Sequence, residues 1–221
     1  MAQAAPSRRK SGRQSAPSTV RTPNRSARVQ RRGIERVKAI LDAAEVLLGS
    51  QGYEAATLKA IGERAGIPIA SVYHYFADRH EVETELAQRH LQEIDKRFAA
   101  VLEDPALHTL RDVVDAVTNT WLAYFRQHPS VVQLWFTGRH VNPTYSELAR
   151  AIDESQAQQT WQFLIERKLL SADTPPFVVR LAFEAGDRLF DVAFRRSPTG
   201  DDATIDEARR LMTAYLETYA P

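Results

Sequence analysis

The sequence predicts an all-α fold: an N-terminal three-helix domain carrying a helix-turn-helix, then a larger C-terminal helical domain, about nine helices together. Three observations carry this expectation. Apolar residues recur at three- and four-residue steps along most of the chain, which marks one buried face per helix. Gly, Pro, Asn, Asp and Thr fall between the periodic runs, where helices start and stop. No run alternates in the manner of a strand, and no internal repeat is evident. A chain of 221 residues is ample for a buried core.

Residues 1–28 consist largely of Ser, Pro, Arg and Ala with almost nothing to bury, and read as a disordered arm. Ile34, Val37, Ile40, Leu41, Ala44, Leu47 and Leu48 then draw one apolar helix face, which Gly49, Ser50 and Gly52 terminate. Thr57 is a good N-cap for a short helix over 58–65. Gly66 ends that helix, because a residue without Cβ permits the left-handed backbone of a tight turn. Pro68 stands at the first position of a second short helix reaching Tyr75, where its missing N–H costs nothing. Asp78 caps a long helix over about 79–103, with Val82, Leu86, His90, Ile94, Phe98 and Val101 in register, and Asp104-Pro105 breaks it. The same reasoning gives helices over about 107–127, 130–136, 144–169, 177–196 and 204–219, separated at His128-Pro129, Asn142-Pro143, Thr174-Pro175-Pro176 and the loop 197–201. Three regions follow: a basic arm (1–28), a helix-turn-helix domain (29–77), and a larger helical domain (78–221).

The net charge of +1 conceals an asymmetry. Residues 1–33 hold nine Arg or Lys and no acid, which leaves 20 basic against 28 acidic residues from position 34 onward. A basic arm before an acidic body suits a polyanion, chiefly nucleic acid. An Arg- and Ser-rich start also has the composition of an organelle transit peptide, but Pro6, Pro17 and Pro23 argue against its amphipathic helix. The absence of cysteine excludes disulfides and thiolate zinc sites. No apolar run is long enough to span a bilayer or to form the core of a signal peptide, so a cytoplasmic protein is expected.

Two short helices joined at a glycine form the unit that lays its second helix in the DNA major groove. Ile61, Ala65, Ile67 and Val72 are placed to pack inward, whereas Ser71, Tyr73 and His74 can meet phosphates or base edges. Arg28, Arg31 and Arg32 lie close enough in sequence to the first helix to reach phosphates or an adjacent minor groove.

Over residues 33–86 the chain resembles the N-terminal domain of the tetracycline-repressor (TetR) family. The residues that carry the resemblance are Ile40-Leu41-Asp42-Ala43-Ala44, Gly52-Tyr53-Glu54-Ala55-Ala56-Thr57, Ile61-Gly62-Glu63-Arg64-Ala65-Gly66-Ile67 and Ser71-Val72-Tyr73-His74-Tyr75-Phe76. The resemblance implies a homodimeric regulator that binds a double-stranded DNA operator and answers to a small-molecule effector. It implies phosphate contacts from Thr57, Tyr73, His74 and Arg79, and base-facing positions at Pro68, Ile69, Ala70 and Ser71; Lys59 is a further expected DNA-binding residue. Many members of the family carry Lys or Arg where Ile69 stands. Ile69 cannot hydrogen-bond guanine but can touch a thymine methyl, so readout through DNA shape or the arm gains weight.

From residue 79 onward the chain resembles the family only in the order of its helices. The helix over 177–196 is apolar on two sides, which reads as burial against its own domain on one and a partner on the other. Val179, Phe183, Gly186 and Phe190, with Leu211 and Tyr215 of the last helix, are the expected dimer interface, Gly186 allowing close approach. Aromatic residues concentrate between 121 and 194, and Trp121, Tyr124, Phe125, Trp135, Phe136, Trp161 and Phe183 are the candidate walls of an apolar effector site. Arg139 and His140 are candidate ligand-binding groups in that site, with Asn119, Gln133 and Gln159 as further polar candidates. The six histidines show no metal-ligand spacing, and no cofactor or metal is expected. No nucleophile elbow, phosphate loop, dinucleotide fingerprint or zinc-protease motif supports an enzyme. A ligand-independent DNA binder driven by the arm is the alternative reading.

Overall fold

The computed structural model describes Met1, the backbone of residues 25–221, and the side chains of residues 30–221 except at position 139. Among the described residues it is entirely helical: α1 (Arg25–Gln51), α2 (Leu58–Ala65), α3 (Ile69–Val72), α4 (Arg79–Leu102), α5 (Leu110–Gln127), α6 (Pro129–Gln133), a π-helical turn (Leu134–Gly138), α7 (Arg139–Val141), α8 (Pro143–Glu166), α9 (Phe177–Arg196) and α10 (Asp202–Glu217). Since α6, the π turn and α7 follow one another without a break, the nine expected helices are accounted for among the described residues.

The boundaries that moved did so for local reasons. The first helix begins at Arg25, inside the stretch expected to be disordered, because after Pro23 nothing in Arg25-Ser26-Ala27-Arg28 opposes helix. It also runs through Gly49 and Ser50, and the chain turns only at Gly52, where φ is +83°. α5 starts three residues later than expected because Thr109 and Asp112 form a reciprocal capping box. α8 stops at Glu166 because Lys168 adopts a left-handed backbone, φ +56°, and the Leu169 N–H returns to the Leu164 carbonyl. α10 begins at Asp202 because the Asp201 carboxylate accepts the Thr204 N–H at 2.9 Å. α3 ends at Val72, and the chain continues to Phe76 in tight turns.

Two compact units are distinguished, Met1–Glu35 and Arg36–Pro221. In the first, Arg31 and Arg32 are solvent-exposed, and Arg31 lies 3.5 Å from Glu35 one helical turn on. Arg28 and the remainder of the basic arm lie outside the residues whose side chains are described.

The second unit has two apolar cores. One joins Ile40, Leu47, Ile61 and Val72 to Leu86 and Ile94 of α4, Phe125 of α5, Trp135 of the π turn and Phe190 of α9. The other gathers Val113, Leu164, Val178, Ala182 and Leu216 from α5, α8, α9 and α10. The first core runs through the α2–α3 pair into the next helices, so no break in packing falls at residue 78.

Candidate nucleic-acid interface and ligand cavity

The α2–α3 pair is set by its own sequence. Thr57 Oγ1 accepts the Ala60 N–H at 3.2 Å, and Gly66 at φ +66° lets the Ile67 N–H reach the Gly62 carbonyl at 2.9 Å. Gly62 lies where the helices cross, and a Cβ there would stand 3.0 Å from the Ile67 carbonyl and 3.1 Å from Val72 Cγ2. Ile61 and Val72 are wholly buried, each contributing about 1.5–3 kcal/mol on removal from water. This anchoring turns the opposite side outward: Pro68, Ile69, Ala70, Tyr73 and His74 are exposed and Ser71 half-exposed, with Thr57 and Lys59 exposed beside them on the α2 side. Tyr73 is 57% exposed and Ile69 40%, large side chains that burial alone does not explain. Lys59 Nζ lies 3.9 Å from Glu63 Oε1.

Arg79, expected as a phosphate contact, is engaged within the chain. Its Nε donates to Glu83 Oε1 at 2.6 Å, and its guanidinium lies 3.9 Å from the centroid of the Tyr53 ring. Glu83 is buried at 2% exposure and also meets His80 Nδ1 at 3.1 Å and Asn142 Nδ2 at 3.3 Å. Asn142 caps α8, and its Nδ2 also donates to the His80 carbonyl at 3.1 Å, tying α8 to the first turn of α4. Burial pushes the Tyr53 hydroxyl up to about 12, so it stays protonated. Gly138 leaves room for the Tyr53 ring, since a Cβ there would come within 3.3 Å of it. The junction is thus built from Tyr53, Arg79, Glu83, Gly138 and Asn142, of which sequence reading marked Arg79 as a DNA contact, Asn142 as a helix boundary and Tyr53 as part of the family resemblance.

The cavity lies between α5, α8, α9 and α10, walled by Val113, Val114, Val117, Trp121, Phe125, Trp135, Val179, Ala182, Phe183, Phe190, Met212 and Leu216. Its polar groups are Thr118, Thr160, Asp153 and Asp187, and the Trp135 indole N–H donates to Asp187 at 2.6 Å. The free space is about 90 Å³, well below the ~300–1,000 Å³ of pockets for drug-sized ligands. An occupant larger than a small ring therefore requires wall residues to move.

Trp121, Phe125, Trp135 and Phe183 line this cavity as expected, whereas Tyr124, Phe136, Trp161 and His140 do not. Tyr124 is buried with its hydroxyl 2.8 Å from His90 Nδ1, Phe136 stacks on Phe194, Trp161 donates to the Thr174 carbonyl, and His140 is exposed. Asn119 accepts from Arg209 at 2.6 Å and Gln159 donates to Ser155 at 3.1 Å; neither lines the cavity, nor does Gln133. The Arg139 side chain lies outside the described residues. Asp187 was missed, although an acid inside an otherwise apolar helix face was the available signal.

The six residues expected at the dimer interface divide into two groups. Val179, Phe183, Gly186 and Phe190 face inward and line the cavity. Gly186 does permit close approach, but to the chain's own α10: a Cβ there would stand 2.7 Å from Met212 Sδ. The surface of α9 carries Phe177 and Leu181 instead, with Leu211 exposed on α10 and Tyr215 half-buried.

Glu45, His90 and His128 also come together, one ligand atom from each lying within 4.8 Å of the others. Burial drives the His90 imidazole down to about 4, a nearby Glu45 only partly opposing it. No sequence spacing announces a cluster whose members come from three separate helical segments.

Residues 40–82 match the family model described as bacterial regulatory proteins, tetR family, and residues 109–216 match the tetracyclin repressor-like, C-terminal domain. Over 63 residues the chain is 36% identical to the HTH-type transcriptional repressor KstR of Rhodococcus jostii (strain RHA1), a match covering 28% of this chain and 30% of that protein. The match therefore spans less than a third of the curated relative's length. Among solved structures, a TetR-family transcriptional regulator from Streptomyces coelicolor is 30% identical, with 84% of this chain and 97% of that one covered and a TM-score of 0.60. The transcriptional regulator FadR from Bacillus subtilis, solved in complex with stearoyl-CoA, is 12% identical and shares the fold, with 80% and 98% coverage and a TM-score of 0.66. Two family models in the family's order and the Streptomyces coelicolor structure spanned almost end to end show that the chain belongs to the TetR family of transcriptional regulators.

Proposed function

We propose that this protein is a transcriptional repressor that binds a palindromic operator as a homodimer and is released by a small, largely apolar ligand. The observation that carries the reading is the outward face of α3: Val72 is fully buried while Ile69, Ala70, Tyr73 and His74 of the same few residues stand in solvent. We assign DNA reading to residues 29–77 and effector binding with dimerisation to residues 78–221. Thr57, Lys59, Tyr73 and His74 hold phosphates; Pro68, Ile69, Ala70 and Ser71 face base edges. Arg28, Arg31 and Arg32 add sequence-independent affinity. Arg79 acts from behind, by fixing Tyr53 and Glu83 at the junction. We assign regulation rather than catalysis, and place the protein in the cytoplasm with its DNA.

The exposed stripe Phe177, Leu181 and Leu211 supports pairing of α9 and α10 with their copies in a partner chain, an isologous four-helix interface. Pairing sets two α3 segments one DNA turn apart, ~34–36 Å. Trp135 supports the coupling: it walls the cavity and belongs to the same π turn as Gly138, which seats Tyr53. A ligand that shifts Trp135 shifts the support of the reading head. Coupling of ~1–3 kcal/mol weakens operator binding about 5–150-fold.

Selection of bound DNA from a random library tests the reading. A palindrome with half-site centres one turn apart is the expected result; unselective retention of all sequences would favour the alternative driven by the basic arm.

A further inference from the structure

The Glu45–His90–His128 cluster belongs to neither the DNA face nor the cavity. Its members come from α1, α4 and the residue between α5 and α6. Glu45 Oε1 stands 3.5 Å from His90 Nε2 and 3.4 Å from His128 Nδ1. Two ligand atoms on one tetrahedral zinc-type ion, each ~2.0–2.1 Å from it, are ~3.3–3.4 Å apart. Two of the three separations already have the length of a coordination edge.

The hydrogen-bond geometry admits the ligating tautomer. The Tyr124 hydroxyl donates to the His90 carbonyl at 3.3 Å, and the same oxygen lies 2.8 Å from His90 Nδ1. With its only hydrogen committed, Tyr124 accepts from Nδ1–H, which leaves Nε2 bare. His90 is 5% exposed, and its Nε2 has no hydrogen-bond partner. In that tautomer a buried lone pair faces a carboxylate oxygen 3.5 Å away, an arrangement that a cation between them relieves. Arg89 does not fill that role, because it approaches the other oxygen, Glu45 Oε2, at 3.4 Å and is held by Asp42 at 2.8 Å.

We propose that Glu45 Oε1, His90 Nε2 and His128 Nδ1 bind one divalent transition-metal ion of the zinc class, with solvent as the fourth ligand. Two imidazoles and a carboxylate suit zinc or cobalt(II), whereas magnesium and calcium take oxygen ligands. Tyr124 is a positioning residue, holding His90 in the ligating tautomer as outer hydrogen-bond partners of metal-bound histidines do. Ligands from α1, α4 and the α5–α6 junction make the ion a fastener between the helix supporting the reading head and the effector domain. Its effect on DNA affinity rests on the operator reading above; the site itself does not.

The test titrates untagged, chelator-stripped full-length protein with cobalt(II) and then zinc. One cobalt per chain, with the intense visible absorption of tetrahedral coordination and displacement by zinc, is the expected result. Glu45→Gln and His128→Ala should abolish that absorption, Tyr124→Phe should weaken binding about 10–100-fold, and His108→Gln should change nothing. Unaltered far-ultraviolet circular dichroism shows that the variants fold. Absence of the absorption at stoichiometric cobalt, or its persistence in both Glu45→Gln and His128→Ala, would overturn the site. Metal binding that leaves operator affinity unchanged would overturn the fastening role and uphold the site.

Discussion

The reading head around α2 and α3 and the cavity between α5, α8, α9 and α10 use burial in opposite ways. In the head, Ile61 and Val72 fill the inside completely, and the residues offered to a partner are those left over on the outside. In the distal half the residues offered to a ligand are inward ones, Trp121, Trp135, Phe183 and Phe190, around a space that packing leaves partly empty. A surface site is therefore written in the local alternation of buried and exposed positions. A cavity depends on which helices meet, and that is set far along the chain.

The largest effect that separates the two is expected inside the head. Ile61→Ala should cost about 2–5 kcal/mol in denaturant unfolding, because the α2–α3 crossing leaves little room for collapse. A loss below ~1 kcal/mol would mean that the head is not the tightly packed platform described here.

The same contrast governs what the sequence made legible. Thr57, Gly66 and the α3 surface were readable because each depends on neighbours within a few residues: a cap, a left-handed turn, a short helix face. The cavity was readable only as a concentration of aromatics. Tyr124, Phe136 and Trp161 are as aromatic as Trp121, yet their neighbours are His90, Phe194 and Thr174. The two apolar faces of α9 were legible as apolar, but not that α10 packs on Gly186 through Met212 within the same chain. Glu83 was silent in sequence and Asn142 legible only as the start of a helix, since a buried ion pair and its amide partner are joined only by the fold.

Arg79→Ala comes next in size. Loss of the guanidinium leaves Glu83 buried without its closest partner and should cost about 2–3 kcal/mol, somewhat less than a fully enclosed pair because Arg79 keeps 21% side-chain exposure. Thermal unfolding and salt-dependent DNA binding, measured together, distinguish the two roles. A stable variant whose log–log salt slope falls by about one would restore Arg79 as a phosphate contact.

Lys59→Ala should show the reverse pattern, with stability unchanged and the salt slope of DNA binding reduced by about 0.9. Unaltered slope would remove Lys59 from the interface.

The smallest effect is in acid. The Thr109 hydroxyl, with the His108 and Thr109 backbone N–H groups, holds the Asp112 carboxyl below its usual 3.8. The folded state therefore binds this proton less readily than the unfolded chain. Its contribution is complete above pH 3.8 and disappears as pH falls through the lowered value. Asp112→Asn should thus lower the thermal midpoint at neutral pH and converge with the unaltered protein as pH falls below 3.8 and through the lowered value; a constant difference would contradict the capping role.

The exposed side of α3 is the assigned reader of DNA sequence, and Ile69→Lys probes that assignment at a base-facing position. Library selection with this variant should shift base preference toward guanine at one position in each half-site, symmetrically, with thermal stability unchanged. An identical consensus from both proteins, with equal affinity, would show that α3 does not face the bases.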